Sequence, residues 1–148
     1  MYPLTHFLVG FLLGLVFLDV KLAFFAGLVA LLLDLDHFIE FVLVKKRFSL
    51  REAWNDAVVK HVKYERSFLH HWKGFLLVSV LEVVLYFLSL DVFFVVLIGY
   101  YSHYLLDHVS YKTNKFLKFK EKGFVFKIAW WEVVLDVVLV LILLMLFL

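Results

Sequence analysis

The sequence predicts an all-α, polytopic membrane protein: a bundle of about five helices plus one amphipathic helix at the cytoplasmic surface. Two observations predict this fold class. First, 65% of the 148 residues are hydrophobic and the mean hydropathy is +0.97, whereas soluble domains are about 45–50% apolar. Second, the apolar residues fall into stretches that approach the length of a membrane span. We expect a single membrane-embedded domain over 1–148.

The helices are predicted at about 3–18, 21–44, 74–89, 92–111 and 127–148. The last is long enough to cross a bilayer, which needs ~20 residues, whereas the first and third are shorter and should thin the membrane around them. Between the second and third, Ser49 and Glu52 form the pattern of a capping box and begin a basic amphipathic helix. We expect this helix either to lie along the inner membrane surface or to pack on the bundle.

Basic residues orient the predicted bundle. All but one of the fifteen Lys and Arg residues lie in 45–73 or 112–127, the exception being Lys21. Because basic loops remain in the cytoplasm, we expect the N-terminus and both long loops inside and the C-terminus outside, in the cell (plasma) membrane. The net charge of +2 gives no reason to expect nucleic acid as a partner. Membrane lipids are the expected partners.

Histidines and carboxylates lie at one depth in several predicted helices. Counted from the outer helix ends at ~1.5 Å per residue, four residues lie about 17–18 Å from the outer surface, namely His6, Asp34, His103 and Asp136. His37, Asp107 and Glu132 follow one turn nearer the cytoplasm on the same helix faces. Ionisable side chains are costly in a membrane, so the common depth of His6, Asp34, His37, His103 and Asp107 predicts a functional site rather than separate hydrogen bonds.

Small residues predict that the first two helices meet near this site. Gly10 and Gly14 share a face with His6, and small residues of the second helix share a face with Asp34. Faces of this kind let two helix backbones approach closely. The packing would therefore bring His6 beside the "DLDH" segment at 34–37.

The absence of cysteine restricts the chemistry of the predicted site. With no thiolate in the chain, a divalent metal would take imidazole and carboxylate ligands, a donor set that suits zinc, with manganese or iron as alternatives. The remaining carboxylates of the helices, Glu82, Glu132 and Asp136, are expected to make interhelical hydrogen bonds instead. His61 and His108 are expected at the membrane interface or beside the ligands.

Four short segments occur in an order that is typical of a known family: "THFLVG" at 5–10, "DLDH" at 34–37, "ERSFLHH" at 65–71 and "SHYLLDH" at 102–108. Together they resemble the motifs of the membrane-bound metal-dependent hydrolases, the YdjM-like family, which is remotely similar to zinc-dependent phospholipase C and P1-type nucleases. The match covers about 4–110 and leaves the fifth helix outside it. The third motif departs most, since Glu65 replaces the first His of the family's pattern, Leu69 its Thr and His71 its Ser. In the second motif, Leu33 replaces a Pro.

The resemblance implies a phosphoester hydrolase, and it adds residues to the site. The metal ligands it implies are His6, Asp34, Asp36, His37, His70, His103 and Asp107. Asp34 would be a ligand, a bridging group or a general base, and Arg66 would neutralise the substrate phosphate. With basic loops at the inner leaflet, the expected substrate is an anionic lipid or a lipid-linked phosphate.

Two other functions stay open. A membrane di-iron oxidase also clusters histidines at the cytoplasmic face, but such enzymes use more histidines than the seven of this chain. A non-enzymatic metal-transport or structural site is the second alternative, although five helices are few for a transporter and no inverted repeat is visible. Metal number, substrate and oligomeric state are not determined by the sequence.

Overall fold

The computed structural model describes residues 2–60, 68–110 and 116–148. Over these ranges the chain is mostly helical, and the elements in order are α1 (Pro3–Phe17), α2 (Val20–Leu32), α3 (Leu35–Lys45), α4 (Leu50–Asn55), α5 (Trp72–Leu88), α6 (Leu90–Ser110), β1 (Phe116–Glu121), β2 (Phe124–Ala129) and α7 (Trp130–Phe147). A π-helical turn over Asp56–Lys60 follows α4, and a 3₁₀ turn over Phe68–His70 precedes α5.

The helices that could cross a membrane agree in outline with the predicted bundle. Within the described ranges, three stretches are long and apolar enough, namely Val20–Lys45, Leu90–His108 and Trp130–Phe147. α1 is a shorter apolar helix. The helical fold class is therefore confirmed in part, and these lengths are compatible with membrane association.

Small residues bring α1 and α2 into backbone contact, as predicted. A Cβ atom added to Gly10 would lie 2.9 Å from the Cβ of Ala30, and one added to Gly14 would lie 2.7 Å from the Cα of Ala23. Any larger residue at these positions would push the two helices apart. α2 also packs on α6 at Gly99, so α1, α2 and α6 form the centre of the bundle.

The predicted helix over 21–44 is interrupted at Leu33 and Asp34, which divide it into α2 and α3. The amide of Asp34 donates to the carbonyl of Leu31 at 3.4 Å, and the amide of Asp36 donates to that of Leu33 at 3.2 Å. This i to i−3 spacing is that of a 3₁₀ turn, which is wound more tightly than an α-helix. The turn changes the directions of the two aspartates, which would point away from each other on an ideal helix.

The all-α prediction is incomplete, because residues 116–129 form an antiparallel hairpin in which β1 and β2 pair along their whole length. Lys122 and Gly123 make its turn, with φ angles of 48° and 86°. Both residues of a two-residue type I′ turn require positive φ angles. The predicted fifth helix, 127–148, consequently begins later, at Trp130, because the residues before it pair with β1.

The predicted amphipathic helix is present as α4, and its predicted cap is confirmed: the amide of Glu52 donates to Ser49 Oγ at 3.3 Å. The helix packs on the hairpin. Trp54 Nε1 donates to the carbonyl of Val125 at 2.8 Å, and Asn55 Oδ1 accepts from the amide of Val125 at 2.8 Å. Packing on the protein itself was one of the two expected arrangements, and contact of α4 with a membrane stays a prediction.

Candidate metal centre

The structure brings the predicted ligand residues together at one end of the helices. The donor atoms form two groups, and within each group all of them lie within 4.8 Å of one another. The first group comes from His6, Asp34, His103 and Asp107, and the second comes from Asp34, His37 and His70. We refer to these six residues as the His/Asp cluster. Asp34 belongs to both groups. The convergence predicted from their common depth is therefore found, and it joins α1, the α2–α3 junction, the turn before α5, and α6.

His103 is the best-oriented donor of the His/Asp cluster. It is 2% exposed, and its ring stacks on that of His6 with the centroids 3.8 Å apart. Its Nδ1 lies 2.6 Å from the carbonyl oxygen of Ala30. Because a carbonyl oxygen only accepts, Nδ1 carries the proton and the lone pair is on Nε2. This Nε2 lies 2.7 Å from His70 Nε2, so it faces the interior of the cluster.

Asp107 divides its two oxygens between different histidines. Its Oδ1 lies 3.1 Å from His6 Nε2, and its Oδ2 lies 3.2 Å from His70 Nε2 and 3.7 Å from His103 Nε2. His103 and Asp107 are four residues apart in α6, so they project from one face of that helix. A carboxylate in this position could contact two cations at once.

Asp36 reaches the cluster through His70. His70 Nδ1 donates to Asp36 Oδ2 at 3.1 Å, and the ring of His70 stacks on that of His37 with the centroids 4.9 Å apart. Asp36 lies in neither group of donor atoms within the described residues. A carboxylate that accepts from a ligand histidine orients its ring and strengthens it as a ligand. The structure thus places Asp36 where it can orient His70, and its predicted role as a direct ligand stays a prediction.

Tyr100 also supports His70, although it was not among the site residues predicted from the sequence. Its hydroxyl donates to the carbonyl of Leu69 at 2.9 Å, in the 3₁₀ turn that carries His70. Tyr100 is 3% exposed and lies three residues before His103, hence on the same side of α6. That spacing is the signal in the sequence by which it could have been found.

The electrostatics of the His/Asp cluster favour a cation. Burial alone would lower the pKa of His70, but its hydrogen bonds to Asp107 and Asp36 outweigh burial and raise the pKa to about 9. The carboxylates therefore create a negative potential at this imidazole. A divalent cation would be stabilised by the same potential.

Unsatisfied polar atoms give an independent test of whether a metal fits. Within the described residues, Asp34 Oδ2 is buried and has no hydrogen-bond partner. Such atoms are uncommon in folded proteins and need an explanation. A cation held between imidazoles and carboxylates supplies one, and the donor set is the one expected in the absence of thiolates. This buried His/Asp group could hold a metal ion.

A cavity of about 480 Å³ adjoins the His/Asp cluster. Four residues of the cluster line it, namely Asp34, His37, His70 and Asp107. Much of the remaining lining is aromatic or aliphatic and comes from α3, α4 and the hairpin. The volume lies within the ~300–1,000 Å³ that is typical of small-molecule sites. The cluster is thus next to a space of ligand size.

The other predicted residues lie in different places. Arg66 and His61 fall outside the described residues, so their predicted roles stay predictions. His71 is exposed at the start of α5 and lies outside both donor groups of the described part of the chain. His108 lines the cavity and stacks on Tyr104, and its predicted role stays a prediction.

Glu132 makes the interhelical hydrogen bonds that were predicted for it. It is only 3% exposed, and its carboxylate accepts a hydrogen bond from the amide of Tyr2 at 2.5 Å and another from the hydroxyl of Thr5 at 3.0 Å. Thr5 directly precedes His6, so α7 holds α1 beside the His/Asp cluster. Glu82 differs: it is 4% exposed, and the hydrogen bond predicted for it is not found within the described ranges.

Comparisons of the chain with protein-family models, with curated proteins and with solved structures found no match. The resemblance to the membrane-bound metal-dependent hydrolases thus depends on the four short motifs alone. Function has to be argued from the His/Asp cluster and the cavity beside it.

Proposed function

We propose that this protein is a membrane-bound, metal-dependent hydrolase that cleaves a phosphoester of a lipid or a lipid-linked substrate at the cytoplasmic leaflet. The observation that carries the proposal is the overlap of two donor groups at Asp34, next to a cavity of ligand size. A single structural metal site would need neither a shared carboxylate nor an adjoining cavity.

The donor set suits a pair of divalent cations. His6 and His103 contribute to the first group and His37 and His70 to the second, with Asp34 common to both. Zinc is the expected metal, with manganese or iron as alternatives, because the ligands are imidazoles and carboxylates. Paired divalent ions lower the pKa of a bound water and stabilise both oxygens of a phosphoryl displacement.

The residues of the chain have separable tasks in this proposal. His103 is held by the carbonyl of Ala30 with its lone pair towards the cluster. Asp34 would be a ligand, a bridging group or a general base: its Oδ2 has no hydrogen-bond partner within the described residues, so this oxygen would either bind a cation or, with the cations held by other donors, accept a proton from an attacking water. Arg66, by the motif resemblance, would neutralise the phosphate, and a guanidinium suits that task because it binds two oxygens at once.

The proposal is tested by hydrolysis assays with purified protein in mixed micelles. Phospholipids, polyprenyl phosphates and chromogenic phosphodiesters are offered, with chelated protein as the blank. We expect release that the chelator abolishes. His70→Ala should lower it by at least about 10–100-fold, because loss of a group that orients or binds a metal has effects of this size.

His71→Ala is the matched control, since this neighbouring histidine is exposed and outside both donor groups of the described residues. It should retain the activity of the parent. No chelator-sensitive release from any substrate would reject the hydrolase in favour of metal binding or transport. Iron in the purified protein together with oxygen-dependent turnover would instead support the oxidase.

A further inference from the structure

We infer that the 480 Å³ cavity binds a single alkyl or isoprenyl chain of an anionic amphiphile whose head group lies at the His/Asp cluster. The inference deepens the proposed function and rests on it for the head group. It adds a second binding site, for the chain, formed by α3, α4 and the hairpin.

The side chains of α3 change from polar to apolar along one face. Asp34 and His37 line the cavity at the cluster, and Phe41 and Val44 line it further along the same helix face. From Asp34 to Val44 the helix rises ~15 Å, at ~1.5 Å per residue. A ligand that follows this face therefore meets cluster donors at one end and the apolar side chains of Phe41 and Val44 further along, with Glu40 and Lys45 also in the lining. This order fits a head group with a chain.

α4 contributes an apolar wall to the cavity through Trp54, whose one polar side-chain atom already makes a hydrogen bond elsewhere. Trp54 lines the cavity, and its Nε1 donates to the carbonyl of Val125 at 2.8 Å. Its ring packs against those of Tyr2 and Phe126, with centroids 5.7 Å and 5.6 Å away. The indole therefore offers the cavity ring carbon, which favours an aliphatic ligand over a polar one.

The charges around the cavity do not by themselves select an anion. Lys45 and Lys127 line it, but Glu40 and Asp56 do so as well. Attraction for an anionic head group must then come from cations bound at the cluster. The head group then lies at the metal centre, and the remaining volume of the cavity is left to the chain. A volume of this size suits one ligand of ordinary size, hence a single chain and not a diacyl pair.

Photo-crosslinking tests the inference without requiring turnover. The probe is a decylphosphonate with a diazirine at the end of its chain, added to the metal-loaded protein in phosphatidylcholine nanodiscs. We expect the labelled peptides to come from α3 and α4, with competition by unlabelled decylphosphonate but not by methylphosphonate. Labelling confined to outward-facing helices such as α7, or absent from α3 and α4, would overturn the inference, since something else would then fill the cavity.

A matched pair of variants gives the control. Ala57 lines the cavity and is exposed, so Ala57→Trp adds bulk at its rim with little risk to folding, and it should lower labelling of α3 and α4 by about tenfold, which corresponds to ~1.4 kcal/mol of overpacking. Leu43 is 72% exposed and does not line the cavity, so Leu43→Trp should leave labelling unchanged. Equal labelling in both variants would overturn the inference.

A short chromogenic phosphodiester separates failure of this inference from failure of the proposed function. Leu43→Trp should hydrolyse it as the parent does, because Leu43 is exposed and does not line the cavity. If the chain site is wrong, chelator-sensitive turnover of this substrate persists while labelling of α3 and α4 is absent. If the hydrolase is wrong, turnover is absent from every variant.

Discussion

At the scale of single residues, Ala30 connects helix packing with the chemistry of the His/Asp cluster. Its side chain meets Gly10 across the α1–α2 contact, and its carbonyl holds the Nδ1 proton of His103. The close approach of α1 that Gly10 allows also brings His6 onto the ring of His103. One position in α2 therefore sets both the spacing of two helices and the direction of a nitrogen lone pair.

We predict that His103→Ala and Asp107→Ala each lose most of the bound metal while keeping the fold. Both residues project from one face of α6 into the first donor group, and a ligand that is removed cannot be replaced from the same helix. Elemental analysis of detergent-purified protein measures the metal, and circular dichroism measures the helix content.

The control for these two variants is Asp91→Ala, which removes an exposed carboxylate from the first turn of the same helix. It should leave the metal content unchanged. Metal content equal to that of the parent in both His103→Ala and Asp107→Ala, or a parent without metal after metal-replete growth, would contradict the site.

At the scale of elements, α7 acts on the site although it contributes no residue to either donor group of the described chain. Glu132 accepts two hydrogen bonds at the start of α1, from Tyr2, which precedes the helix, and from Thr5 in its first turn. Lys127, at the end of the hairpin that leads into α7, donates its amide to the hydroxyl of Tyr2 at 2.6 Å. The hairpin and α7 together hold the start of α1, and His6 follows directly.

We predict that Glu132→Ala lowers the free energy of unfolding by about 2–3 kcal/mol, because it leaves a half-buried amide, of Tyr2, and a buried hydroxyl, of Thr5, without their charged acceptor. It should also weaken metal binding through displacement of His6. Glu132→Gln keeps one acceptor oxygen and should recover part of both losses. Thermal unfolding in detergent and metal titration are the measurements.

Val134→Ala is the control for Glu132→Ala, since Val134 lies two residues further along the same helix and is 55% exposed. Its effect should be small. If Glu132→Ala unfolds at the temperature of the parent and binds metal equally well, the hydrogen bonds to α1 do not position His6.

At the scale of the whole molecule, apolar residues face outward while polar residues gather inside. Along α7, Val134, Leu141 and Met145 are 55%, 54% and 83% exposed, whereas His6 and His103 are 0% and 2% exposed. A continuous apolar exterior of this extent is unusual for a soluble protein and fits contact with lipid. This arrangement supports the proposal that the chain is embedded in a membrane.

We predict that the N-terminus and both basic segments are cytoplasmic and that the C-terminus is outside, because basic segments remain on the inner side. The chain contains no cysteine, so single cysteines report position without background. Lys21→Cys and Leu90→Cys should react with an impermeant reagent in intact cells, whereas Arg47→Cys and Lys120→Cys should not.

Permeabilised cells are the control for the topology, since all four cysteines are at exposed positions and should react there. The reverse pattern in intact cells would invert the topology and move the proposed substrate to the outer leaflet. It would leave the His/Asp cluster itself unaffected.

Local patterns in the sequence determined the helical class, the cap at Ser49, the small-residue contact of α1 with α2 and the common depth of the residues that form the His/Asp cluster. Hydropathy, helical periodicity and spacing are properties of neighbouring residues, so they are visible without contacts. The hairpin also had a local signal, the alternation of apolar residues with lysine before Lys122 and Gly123. The basic residues of 112–127 were instead interpreted as a loop between two apolar helices.

Only the tertiary structure decided how the residues of the His/Asp cluster meet. The carbonyl of Ala30 beside His103 and the hydrogen bond that Thr5 donates to Glu132 depend on partners that are near in space. These two contacts join residues that are 73 and 127 positions apart in the chain. A sequence pattern shows which residues a helix face carries, but backbone donors and acceptors are alike at every position, and packing alone selects which of them a side chain reaches.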